Sequence, residues 1–74
     1  MTNTNQNALD ILNFGENLRR VRIKNNLTHE EFAEKVGVST RIIYDYEDGF
    51  KKPSLRTIVV IANVLGVSID SLFR

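Results

Sequence analysis

The chain has no cysteine and no tryptophan, and only one proline and one histidine in 74 residues. Without cysteine, neither a disulfide framework nor a thiolate zinc site can be built. One histidine and no cysteine also exclude Cys–His and multi-histidine sites. No glycine-rich loop is present to cradle a phosphate, so no metal, no cofactor, no small-molecule ligand and no enzyme activity are expected. Long apolar runs are missing too. Nothing reads as a membrane span or a cleavable signal peptide, and the expectation is a soluble cytoplasmic protein. Charge of one sign is not in excess. Ten Lys and Arg against nine Asp and Glu leave +1, so affinity for any polyanion must come from local clustering. This length allows one domain, burying about 60% of the surface the unfolded chain exposes.

What is present is a series of helix starts and stops. Thr28 followed by Glu31 is a capping box, in which hydroxyl and carboxylate each satisfy a free backbone N–H at a helix start. The helix it opens, about His29 to Val36, carries Phe32, Ala33 and Val36 on one face and ends at Gly37. Only Val38 separates that glycine from Ser39, a second N-cap, and Ile43, Tyr46 and Glu47 follow at helical spacing to about Asp48. So short a link forces a steep crossing and leaves the outer face of the second helix free, which is the arrangement of a helix-turn-helix.

Around this pair the remaining elements fall in order. Residues 1–13 read as a flexible N-terminal arm, partly helical or laid on the domain, because Met1–Asn7 is polar while Leu9, Ile11, Leu12 and Phe14 are apolar. Gly15 interrupts that pattern. A first helix is expected from about Glu16 to Asn25, with Leu18 and Val21 inward. After Gly49 comes a basic loop, Phe50-Lys51-Lys52-Pro53. Ser54 caps a fourth helix to about Leu65, with an expected inward stripe of Leu55, Ile58, Val59, Ala62 and Leu65. Val60 then falls opposite the core, flanked by Ile61 and Val64, and this surplus apolar surface reads either as a dimer interface or as a seat for the arm. Ser68 caps a last short helix with Ile69, Leu72 and Phe73. The expected fold is all-α, five short helices over residues 14–74 with no strand.

Three pieces, LTHEEFAEKVGVS (Leu27–Ser39), IIYDYEDG (Ile42–Gly49) and PSLRTIVVIANVLGVSIDSLF (Pro53–Phe73), together resemble the Cro/lambda-repressor-like, or Xre, helix-turn-helix family, with a match over about residues 14–73. The resemblance implies a compact five-helix bundle that binds double-stranded DNA, as a small transcriptional regulator or repressor acting as a homodimer on a near-palindromic site. A protein-interaction module or an antitoxin-type partner on the same fold is the alternative. The chain departs from the family's pattern at His29, where Gln is common, at Tyr44, where a small polar residue is common, and at Val60, where Lys is frequent.

Carried onto this chain, the base-reading face of the third helix is Thr40, Arg41, Tyr44 and Asp45. A guanidinium at Arg41 can donate two hydrogen bonds to guanine O6 and N7. Thr40 can meet a base or serve as a second capping hydroxyl. Asp45 can accept from cytosine N4 or orient Arg41 one turn earlier. Tyr44 can touch the sugar edge or a phosphate, or lie over the core. Phosphate contacts are expected from Thr28, His29, Ser39 and Ser54 at helix starts, and from Lys51 and Lys52 in the basic loop. The resemblance further implies an ion pair between Arg22 and Glu47 that fixes how the third helix is presented, with Arg22 also able to reach a phosphate.

Overall fold

The structure, a computed structural model, describes the backbone of residues 6–73 and the side chains of residues 14–73. The expectations for residues 1–5, and for the packing of Leu9, Ile11 and Leu12, lie outside the described residues. The described chain forms four α-helices and a 3-10 turn: α1 Gln6–Lys24, α2 His29–Val36, α3 Thr40–Asp48, α4 Leu55–Leu65, and the turn Asp70–Leu72. Neither a strand nor a helix long and apolar enough to cross a membrane occurs among the described residues.

Gly15 does not interrupt α1; the helix runs through it. A helix interior normally disfavours glycine by about 1 kcal/mol relative to alanine. Here packing requires it. A Cβ at residue 15 would stand 2.5 Å from the Glu47 carbonyl oxygen and 2.8 Å from that of Tyr46, so α1 lies directly on the C-terminal backbone of α3. Gly15→Ala should therefore lower stability. Overpacking against rigid backbone costs about 1–3 kcal/mol, which outweighs the helix-propensity gain of about 1 kcal/mol. A lower urea midpoint checks this; a higher one would mean the two helices can simply move apart.

The α2–α3 unit is defined by its caps. The Thr28 hydroxyl accepts from Glu31 N at 3.0 Å, and the Glu31 carboxylate accepts from Thr28 N at 2.8 Å. Gly37 takes the left-handed conformation at φ 87° and donates to Ala33 O at 2.8 Å. Ser39 Oγ then accepts from Ile42 N at 3.2 Å. Phe32 and Ala33 of α2 and Ile43 and Tyr46 of α3 are buried, packed with Phe14 and Leu18 of α1.

In α4 the inward face differs from the expected one. Ile58, Ile61, Ala62 and Leu65 are buried, whereas Leu55 is 72% and Val59 40% exposed. The buried set keeps the spacing i, i+3, i+4, i+7 of one helical face. Residues 58–62 are continuously apolar, so composition fits two rotations of the helix, and packing selects the one with Ile61 inside. Ile61 is fully buried and is not interface surface. Val60 and Val64 are half-buried, and Val64 packs against the core.

The expected fifth helix is a 3-10 turn. Its bonds span three residues: Ser71 N to Ser68 O, Leu72 N to Ile69 O and Phe73 N to Asp70 O. Side chains hold it in that form. The Ser71 hydroxyl donates to Ser68 O at 2.7 Å, and Asn17 Nδ2 of α1 donates to Leu72 O at 3.2 Å. Leu72 is thereby drawn fully into the core, and the Phe73 ring lies 5.2 Å from that of Phe14.

Candidate nucleic-acid interface

The exposed side of α3 and the starts of α2 and α4 hold the residues expected from the sequence. Arg41 projects into solvent, its side chain 84% exposed, with Nε 3.5 Å from Asp45 Oδ1. Asp45 is only 15% exposed at its side chain, and its carboxylate faces the Arg41 guanidinium one turn earlier. Thr40 is half-buried beside Ser39. Tyr44 is exposed, and its ring stacks on that of His29 with centroids 3.9 Å apart and planes 13° from parallel. Two of the three departures from the family's pattern, His29 and Tyr44, thus touch each other.

Behind the stack lies a buried charge cluster. Arg22 Nε donates to Glu47 Oε2 at 2.6 Å, Arg22 Nη2 to Oε1 at 3.3 Å, and Arg22 Nη1 to the Leu27 carbonyl at 2.7 Å. His29 Nε2 lies 3.2 Å from Glu47 Oε1. Glu47 therefore ties α3 to α1 and to the first residue of α2. With its side chain 8% exposed and each of its three nitrogens donating one hydrogen bond, Arg22 is held between α1, Glu47 and the Leu27 carbonyl. The His29 contacts with Tyr44 and Glu47 are absent from the expectations drawn from sequence. They join residues 15 and 18 positions apart on different helices, and no local spacing signals them.

The helix starts are not equivalent as anion sites. Their free N–H groups favour negative charge, but the first turn of α2 contains Glu30 and Glu31, whereas α3 and α4 have no acid there. Ser54 Oγ accepts from Thr57 N at 3.3 Å and lies 3.1 Å from the Thr57 hydroxyl. Just before it, Lys51 and Lys52 are exposed. The start of α4 with its basic loop is thus the better anion position on electrostatic grounds. Among titrating groups, Tyr46 is displaced: burial pushes its phenol above the ordinary value of 10.0. No group of His, Asp and Glu suited to a metal ion is present among the described residues.

Two capped helices joined across Gly37 and Val38, with the second offering an exposed Arg, Tyr and half-buried Thr, define a helix-turn-helix protein. Its sequence agrees. The helix-turn-helix family profile matches residues 18–72, and the chain belongs to that family, in its Xre or lambda-repressor-like form. It is 36% identical over 61 residues to the uncharacterized HTH-type transcriptional regulator YqaE of Bacillus subtilis, covering 82% of this chain and 53% of that protein. It is 34% identical over 59 residues to the cryptic phage CTXphi transcriptional repressor RstR of Vibrio cholerae, covering 80% of this chain and 53% of the other. The chain spans about half the length of the first curated relatives it matches. Among solved structures it is similar to the restriction-modification controller protein C.AhdI from Aeromonas hydrophila. The TM-score is 0.81 at 30% identity, covering 86% of this chain and 97% of that one.

Proposed function

We propose that this chain is a transcription regulator that binds double-stranded DNA through α3, as a pair of copies on a near-palindromic site. The observation that carries the reading is Arg41, an exposed guanidinium near the start of α3, steered by Asp45 and standing on a helix anchored by the buried Glu47 cluster. Arg41 is assigned to a base edge, with Thr40 and Tyr44 beside it and Asp45 orienting it. Thr28, His29, Ser39, Ser54, Lys51 and Lys52 are assigned to phosphates along the rim. No chemistry is required; regulation comes from occupancy of the site alone or from a partner. The reading is supported by the family and by relatives named as transcriptional regulators and a repressor.

For the pairing surface, the exposed Leu55 and Val59, four residues apart on one face of α4, replace the face first expected around Ile61. Two copies would set their α3 helices in successive major grooves, about 34 Å apart. Selecting bound duplexes from a random pool tests this directly. A recovered inverted repeat supports paired copies, a single half-site overturns them, and no enrichment favours a protein-interaction module.

On the recovered site, Arg41→Ala should weaken binding by about 1–3 kcal/mol and relax the preference at one base pair. Lys51→Ala should instead weaken specific and non-specific binding alike, and flatten the salt dependence by about one phosphate contact. Equal loss on all sequences with Arg41→Ala would reassign that residue to the backbone.

A further inference from the structure

The His29 ring is held at one nitrogen and on one face. Its Nε2 is 3.2 Å from Glu47 Oε1, its face lies on Tyr44, and Nδ1 makes no hydrogen bond among the described residues. An ionised carboxylate accepts and cannot donate. Paired with the Arg22 guanidinium, Glu47 therefore holds the imidazole proton on Nε2. In the neutral ring Nδ1 is then a lone pair, which repels a phosphate oxygen. Only the doubly protonated ring has a donor left at Nδ1.

We infer that His29 meets the DNA backbone as an imidazolium, so that binding takes up a proton and tightens as pH falls. The inference rests on the assignment of the start of α2 to the phosphate backbone. The groups sharing the cleft around His29 are Glu16, Arg19 and Arg22 from α1, and Tyr44, Glu47 and Asp48 from α3. Glu30 and Glu31 follow it in the first turn of α2, and their charge makes a cation at His29 the condition for a phosphate to approach there. Arg22 already balances Glu47, and Arg19 opposes a further cation. Glu16 and Asp48 favour one, as does the Tyr44 ring face beneath the imidazole. Acids outnumber bases around the ring, and an arriving phosphate adds a further negative charge that favours the charged imidazole.

The sign follows from linkage. The complex prefers the protonated ring, so the added affinity is complete below the titration of the free protein. It is lost as pH rises through that of the complex. One proton per copy limits the slope to about tenfold per pH unit.

The sequence has a single histidine, so its ring protons can be followed by NMR without any variant. With the full chain and a labelled duplex of mixed sequence, the ring titration should move to higher pH when DNA is added. Affinity at constant ionic strength should rise several-fold from about pH 8 to pH 6. His29→Gln, whose amide can donate at every pH, should bind with a flat pH profile. If the wild-type profile is as flat as that of His29→Gln while binding still falls with salt, the inference is overturned and the DNA reading stands. If no duplex binds at any pH, both fail.

Discussion

Glu47→Ala should destabilise the fold by about 3–5 kcal/mol, the loss expected when one partner of a buried ion pair is removed. The carboxylate receives two hydrogen bonds from Arg22 and faces His29, with a side chain only 4% exposed. Truncating it leaves the Arg22 guanidinium enclosed, with the Leu27 carbonyl as its remaining partner among those bonds. Stability of about 0.05–0.15 kcal/mol per residue is ordinary for a domain, so this loss would remove a large part of the total. Urea unfolding of the single variants, Glu47→Ala and Arg22→Ala, and of the double variant separates the causes. Replacing both partners by apolar residues of similar volume should be much milder, because no stranded charge remains. A loss below about 1 kcal/mol for Glu47→Ala would make this an ordinary exposed pair, and the anchoring of α3 would need another origin.

Ile61→Ala should cost about 2–5 kcal/mol, the range for an aliphatic side chain cut back in a packed core. Ile61 is fully buried between α4 and the rest of the core. Val59, two positions earlier and 40% exposed, provides the contrast. Val59→Ala should change folding stability by about 0.5 kcal/mol or less. Its effect should fall instead on pairing of copies, read by sedimentation of the free protein and of the DNA complex. The opposite ranking of the two variants in thermal or urea unfolding would mean that α4 is rotated relative to the arrangement described.

These two residues mark where sequence legibility ended. The apolar run of residues 58–62 announces a helix with a buried face but fits more than one rotation of it. Ile58, Ala62 and Leu65 belong to the inner face either way, and only contact with the other helices admits Ile61 and turns Val59 outward. Gly15 misled for a related reason. Read locally, it weakens a helix. Its value lies in the backbone of α3, which passes too close for any Cβ. Likewise Ser68 does cap, its Oγ accepting from Ser71 N, but the Leu72 carbonyl is taken by Asn17, and the segment closes as a 3-10 turn.

The amino-acid sequence alone determined where α2, α3 and α4 begin and end. A cap is a bond between a side chain and a backbone group three residues away, so Thr28, Ser39 and Ser54 carry their own instructions, as does Gly37 at the turn. It also determined family membership, through residue types at fixed short spacings. Tertiary structure alone decided which way α4 faces, why α1 needs a glycine, and that His29, Tyr44 and Glu47 meet. Those outcomes depend on how separate helices approach one another in space, and an approach of that kind leaves no periodic trace in the chain.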